Sequence, residues 1–105
     1  MDRIKLLKEY LIGEPNDDFL NYALALEYQK HNKLDEAEKV FNEIILRNAN
    51  YLPSYYQLGK TYETKMEFEK AKMIYQKGIE IAMMQKNMKT LQELKEALLT
   101  LDISD

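Results

Sequence analysis

Shifted against itself by 34 residues, the chain superposes Tyr22 on Tyr56, Leu24 on Leu58, Tyr28 on Tyr62, Ala37 on Ala71 and Ile45 on Ile79. Similar residues fill the gaps: Ala25 with Gly59, Leu34 with Phe68, Val40 with Ile74 and Phe41 with Tyr75. A unit of this length cannot bury its apolar face alone, so successive units must stack and share one continuous core. Within each unit the matches recur at spacings of three, four and seven, the stripe of an amphipathic helix. With only 3 Gly and 2 Pro the chain lacks the turn residues that many short strands require. The fold class is therefore all-α, an α-solenoid of antiparallel helix pairs.

Each period reads as two helices. The first pair runs from about Asp17 to Gln29 and from Leu34 to Arg47, with a break at His31-Asn32-Lys33. The second runs from Pro53 to Thr64, where proline suits the first helical turn, and from Phe68 to Met84 after a break at Lys65-Met66. Such short breaks fold neighbouring helices back on one another. Counting back 34 from Phe41 and Ile44 gives Leu7 and Tyr10, so Asp2 to Ile12 reads as the second helix of a leading half-unit, with Gly13 as its C-terminal stop. After Lys86-Asn87 a last helix from Met88 to Leu101 carries Leu91, Leu94, Leu98 and Leu101 on one stripe, as a capping helix requires. About six helices result, in one domain: a leading half-repeat (1–17), repeat 1 (18–51), repeat 2 (52–85), and a capping helix with its tail (86–105). Ala25 and Gly59 on the first helices are placed against Ala37 and Ala71 on the second, where side chains no larger than methyl let two backbones approach closely.

The second period shows Tyr55-x2-Leu58-Gly59-x2-Tyr62 followed by Ala71-x3-Tyr75, and the first shows Asn21-x2-Leu24-Ala25-x2-Tyr28 followed by Ala37-x3-Phe41. This resembles the tetratricopeptide repeat, W-x2-L-G-x2-Y, then A-x3-F, then P. Asn21 departs from the aromatic position, and the closing proline occurs only as Pro15, with Ala49 and Met83 in the later equivalents. The resemblance covers essentially the whole chain, as a small two-repeat protein. It implies a right-handed superhelix whose first helices line a concave groove, and a protein-protein interaction adaptor or scaffold that binds a peptide or partner protein there.

With Leu24, Ala25 and Tyr28 directed into the helix pair, Tyr22, Leu26 and Gln29 face elsewhere around the same helix, toward the implied groove. Their equivalents are Tyr56, Lys60 and Glu63, with Tyr22 and Tyr56 as stacked neighbours offering apolar area and a hydroxyl. The alternative is that both rings only fill space against a terminal helix. Part of the family grips C-terminal carboxylates with a Lys and Asn clamp; Tyr22 and Leu26 stand at two of those places, which argues against chaperone-tail recognition.

Self-association is the alternative function. Ile4, Leu6, Leu7, Tyr10, Leu11 and Ile12 wrap most of the way round the first helix, and Met83, Met84, Met88 and Leu99 cannot all lie on the last helix's stripe. A homodimer through the terminal helices would cover them. Other classes find little support. His31, the single histidine, lies four residues after Glu27 and reads as a surface pair; Asp35 with Lys39 and Glu43 with Arg47 read likewise. No catalytic residue, metal ligand set or cofactor motif is identified, and the absence of cysteine removes thiolate chemistry. A net charge of -3 and a pI near 5.2 argue against nucleic acid despite the Tyr55, Tyr56, Lys60, Tyr62 and Lys65 interleaving. No apolar run approaches the roughly 20 residues of a membrane span, and the charged N-terminus is unlike a signal peptide. The expectation is a cytoplasmic, non-enzymatic protein.

Overall fold

The computed structural model describes residues 2–104, with side chains through Ile103; Met1 and Asp105, outer limits of the leading half-repeat and tail, lie outside the described residues. Six helices follow in order: α1 (Arg3–Gly13), α2 (Asp18–Lys30), α3 (Leu34–Arg47), α4 (Pro53–Thr64), α5 (Phe68–Gln85) and α6 (Met88–Ser104). No strand occurs among the described residues. Each helix packs on the next, and α2 also touches α4 across the stack.

The boundaries follow from local chemistry. Asp2 accepts the Ile4 amide at 3.0 Å to open α1, and Asp17 accepts the Leu20 amide at 2.8 Å to open α2. Pro53 occupies the first turn of α4, and the Asn87 side chain accepts the Thr90 amide at 3.1 Å at the start of α6. Three helices end alike, on a left-handed residue: Asn32 (φ 60), Met66 (φ 62) and Lys86 (φ 56). At the first, the Lys33 amide donates to the Tyr28 carbonyl at 2.8 Å and the Asn32 amide to Gln29 at 3.1 Å. At the second, Glu67 donates to Tyr62 at 2.8 Å and Met66 to Glu63 at 2.9 Å. This pairing satisfies carbonyls that the helix leaves open. Gly13 differs: it is the last helical residue of α1, its φ is not positive, and the chain leaves through Glu14.

Ala25, Ala37 and Ala71 are fully buried, as are Phe41, Ile44, Tyr55, Leu58, Tyr75 and Leu94. The tightest approach is more extreme than methyl against methyl. A Cβ added at Gly59 would lie 2.1 Å from Tyr75 Cε1, so a ring of α5 sits directly against this residue. The repeats also exchange volume. Tyr55 donates its hydroxyl to the Ala49 carbonyl at 2.6 Å, and at the equivalent place Asn21 Nδ2 donates to the Pro15 carbonyl at 3.1 Å. Asn21 thus keeps the tether to the preceding turn without the ring. In the second repeat Gly78, where a Cβ would come within 2.8 Å of Tyr55 Cβ, makes room for that ring; its first-repeat equivalent is fully buried Ile44.

On α6 the buried stripe is Leu91, Leu94, Ala97 and Leu101, with Leu98 at its margin. These lie 36, not 34, residues after Tyr55, Leu58, Thr61 and Lys65, because α5 extends to Gln85 before the turn. Between repeats, Lys65 Nζ reaches Asp35 and Glu38 at 2.7 Å each. Asp35 is thereby paired across the stack rather than with Lys39 on its own helix.

Candidate partner-binding groove

In the repeat register, six residues stand beside the core positions of the first helices, and α6 lines a cavity with two of them, Tyr56 and Lys60. Tyr22, Leu26 and Gln29 on α2, and Tyr56, Lys60 and Glu63 on α4, are all half-buried. Their surroundings fix each in place. The Tyr22 ring meets Phe41 edge-on at 6.0 Å and Tyr51 at 5.7 Å, both at 60°. Burial raises its hydroxyl above the ordinary tyrosine value of 10.0, opposed in part by a hydrogen bond with Gln57. Leu26 packs against the margin of the core. Gln29 Nε2 donates to the Gln57 carbonyl at 3.1 Å and to Thr61 Oγ1 at 3.0 Å, so it braces α2 against α4.

On α4 the three residues form one cluster. The Tyr56 ring lies 6.3 Å from Tyr75, Lys60 Nζ sits 5.3 Å over the Tyr56 ring, and Lys60 approaches the Glu63 carboxylate at 3.6 Å. Buried Tyr75 donates its hydroxyl to Glu63. Burial, then the hydrogen bond and charge of Glu63, raise the Tyr75 pKa far above 10.0. Core and surface are thus tied together at Glu63. The Tyr22 and Tyr56 rings each find a ring contact on the second helix of their own repeat, at the equivalent residues Phe41 and Tyr75, and Tyr22 a second one at Tyr51 in the turn before α4.

Opposite Tyr56 and Lys60 stands a third wall that repeat counting misses. Glu93, Glu96, Ala97 and Thr100 of α6 line one cavity with them. The signal was present in the 36-residue offset of the α6 stripe, which makes Glu96 the equivalent of Lys60. Tyr51 and Gln57 were also missed, because they contact Tyr22 from outside the repeat signature. The assembled surface offers aromatic area, one cation and three carboxylates on helices that are braced from behind, which is chemistry suited to recognition. Elsewhere, Glu27 takes Arg3 at 3.3 Å and His31 at 3.8 Å, the pairing expected for that histidine. Among the described residues no group of histidines and carboxylates could hold a metal ion, and no helix is long and apolar enough to cross a membrane.

Comparison with known proteins gives the same architecture. The tetratricopeptide repeat model matches residues 20–51 and 52–82. A tetratricopeptide repeat domain from Salinibacter ruber, solved by NMR, is 36% identical over 88% of this chain and 93% of its own, with a TM-score of 0.83. The TPR2B domain of yeast Sti1, solved in a complex with pHsp70, superposes with a TM-score of 0.89 at 16% identity, over 97% of this chain and 82% of its own. The first such domain of Spaghetti, solved with an HSP90 peptide, gives 0.76 at 22% identity, over 94% and 77%. No curated protein matches the sequence.

Proposed function

Because the chain belongs to the tetratricopeptide repeat family, we propose that it is a protein-interaction adaptor that receives a segment of another protein on the face formed by α2, α4 and α6. The observation that carries this reading is the half-exposed set Tyr22, Tyr56 and Lys60, held by Phe41, Tyr51, Tyr75 and Glu63, together with half-exposed Leu26, which packs against the core. Side chains already ordered lose little rotamer freedom when a partner arrives, which favours binding. Support comes from two structural neighbours: the yeast Sti1 domain is in complex with pHsp70, and the Spaghetti domain holds the HSP90 peptide SRMEEVD. The reading is of a binding protein working without cofactor or catalysis. Two repeats make a short groove, so affinities on the order of micromolar are expected.

The test replaces Tyr22 and Tyr56 together by Ala and, separately, Leu26 by Ser with Lys60 by Ala. Both variants should keep their helical circular dichroism and lose partner capture. Retained capture by a folded variant removes the groove from consideration.

The second reading, a homodimer through apolar surface of the terminal helices, draws on the exposure of Met83, Met84, Met88 and Leu99 at 59, 74, 67 and 58%. Methionine adapts readily to a contact surface. Light scattering at micromolar concentration decides it: a dimer dissociated by Leu99→Glu supports the reading, and a monomer throughout rejects it.

A further inference from the structure

Resting on the groove reading, we infer that the segment received there carries a basic side chain, lysine or arginine, which enters between α4 and α6, while its apolar side chains lie toward Tyr22 and Leu26. The cavity bounded by Tyr56, Lys60, Glu93, Glu96, Ala97 and Thr100 has a volume of about 230 Å³. That is below the roughly 300–1,000 Å³ of small-molecule sites and suits a single side chain. The charges on its two walls are not equivalent. Lys60 is engaged within α4, by the Tyr56 ring at 5.3 Å and by Glu63 at 3.6 Å. Across from it, Glu96 accepts only from the neutral Gln92 amide at 3.0 Å, and Glu93 has no ion pair or hydrogen bond among the described residues. The α6 wall therefore presents two carboxylates that no ion pair among the described residues neutralises, against the single cation Lys60, whose partner is Glu63 outside the cavity lining.

An acidic segment entering this space meets like charges, which costs affinity, whereas an ammonium or guanidinium completes the set. Ala97 and the Tyr56 ring give the methylenes of a long basic side chain apolar surface to cover, beside Lys60 on the same α4 wall. On α2 the equivalent places are Tyr22 and Leu26, which carry no charge and give the segment's apolar residues their contact. The net charge of -3 adds long-range attraction of the same sign. The selected ligand is thus opposite in charge to an acidic chain terminus.

A phage-displayed random peptide library, selected on the purified full chain, supplies the test. The expected result is enrichment of Arg and Lys over Asp and Glu by roughly 1.5-fold to fivefold, the range for an exposed charge pair, weakening as salt is raised. The Glu93→Gln/Glu96→Gln variant should lose this preference, and Glu93→Lys/Glu96→Lys should reverse it. Glu36→Gln/Glu80→Gln, which removes the same charge from the exposed surfaces of α3 and α5, should leave it intact. Basic enrichment that survives the lysine variant, or that falls equally in the α3/α5 variant, overturns the inference, as does enrichment of acidic peptides or of none. The groove reading is tested separately by selection on Leu26→Ser. Loss of all enriched sequences there with no basic preference in the parent chain sinks the charge inference alone. Identical selections from Leu26→Ser and the parent chain sink the groove.

Discussion

Replacing Gly59 by Ala sets two physical effects against each other. Alanine is about 0.8–1.0 kcal/mol better than glycine inside a helix, so propensity alone makes the change stabilising. Packing opposes it. The new methyl would lie 2.1, 2.5 and 2.6 Å from three atoms of the Tyr75 ring, and the ring would have to move by about 1.3 Å to restore a 3.4 Å contact. That ring is fully buried, packed near Tyr56 and tied by its hydroxyl to Glu63, so it has little room to retreat. An approach this close belongs at the upper end of the roughly 1–3 kcal/mol cost of overpacking. The net expectation is a loss of about 1–2 kcal/mol, or roughly 5–15 °C in Tm for a domain of this size. Thermal unfolding followed by circular dichroism or calorimetry measures it. Gly13→Ala is the control, because nothing lies within 4 Å of its Cβ position and its φ is not positive; it should be neutral or stabilising. In the Tyr75→Leu background Gly59→Ala should cost less than in the parent chain, since the opposing ring is gone. A Gly59→Ala protein more stable than the parent would refute the claim that α4 and α5 meet at this residue.

Two further outcomes concern stability. Met66 is 74% exposed yet holds φ 62, so Met66→Gly should raise stability by about 0.5–1 kcal/mol in chemical denaturation, with a smaller gain for Asn32→Gly because asparagine tolerates that conformation. Tyr75, like Tyr22, Tyr51 and Tyr55, keeps its proton more tightly when folded than the ordinary value of 10.0. The stability linked to these protons is complete below pH 10 and is lost as pH rises above it, so Tm should fall in that window and Tyr75→Phe should flatten the fall.

The periodicity of Tyr22/Tyr56, Leu24/Leu58 and Ala37/Ala71 was enough to place six helices and the buried seam, since burial on a helix must recur at three and four residues. What escaped had no periodic signature. Gly78 is legible only once Tyr55 is known to lean on it, and the Asn21 tether to Pro15 is a hydrogen bond that no hydrophobic pattern records. The bridge from Lys65 to Asp35 and Glu38 crosses between repeats, whereas sequence spacing reports neighbours on one helix. The proposed site was half legible. Residues on α2 and α4 followed from the 34-residue register, but α6 runs two residues out of that register, which hid Glu93, Glu96 and Thr100.

The most direct measurement places a photo-reactive amino acid at position 26 or 60 on the α2–α4–α6 face, or at position 46 or 73 on α3 and α5, in cells that make the protein. Covalent products with one partner should form from 26 and 60 and not from 46 and 73, and the cross-linked peptide should map to a single segment of that partner. Cross-links from 46 and 73 alone would move the binding surface to the second helices and contradict the groove.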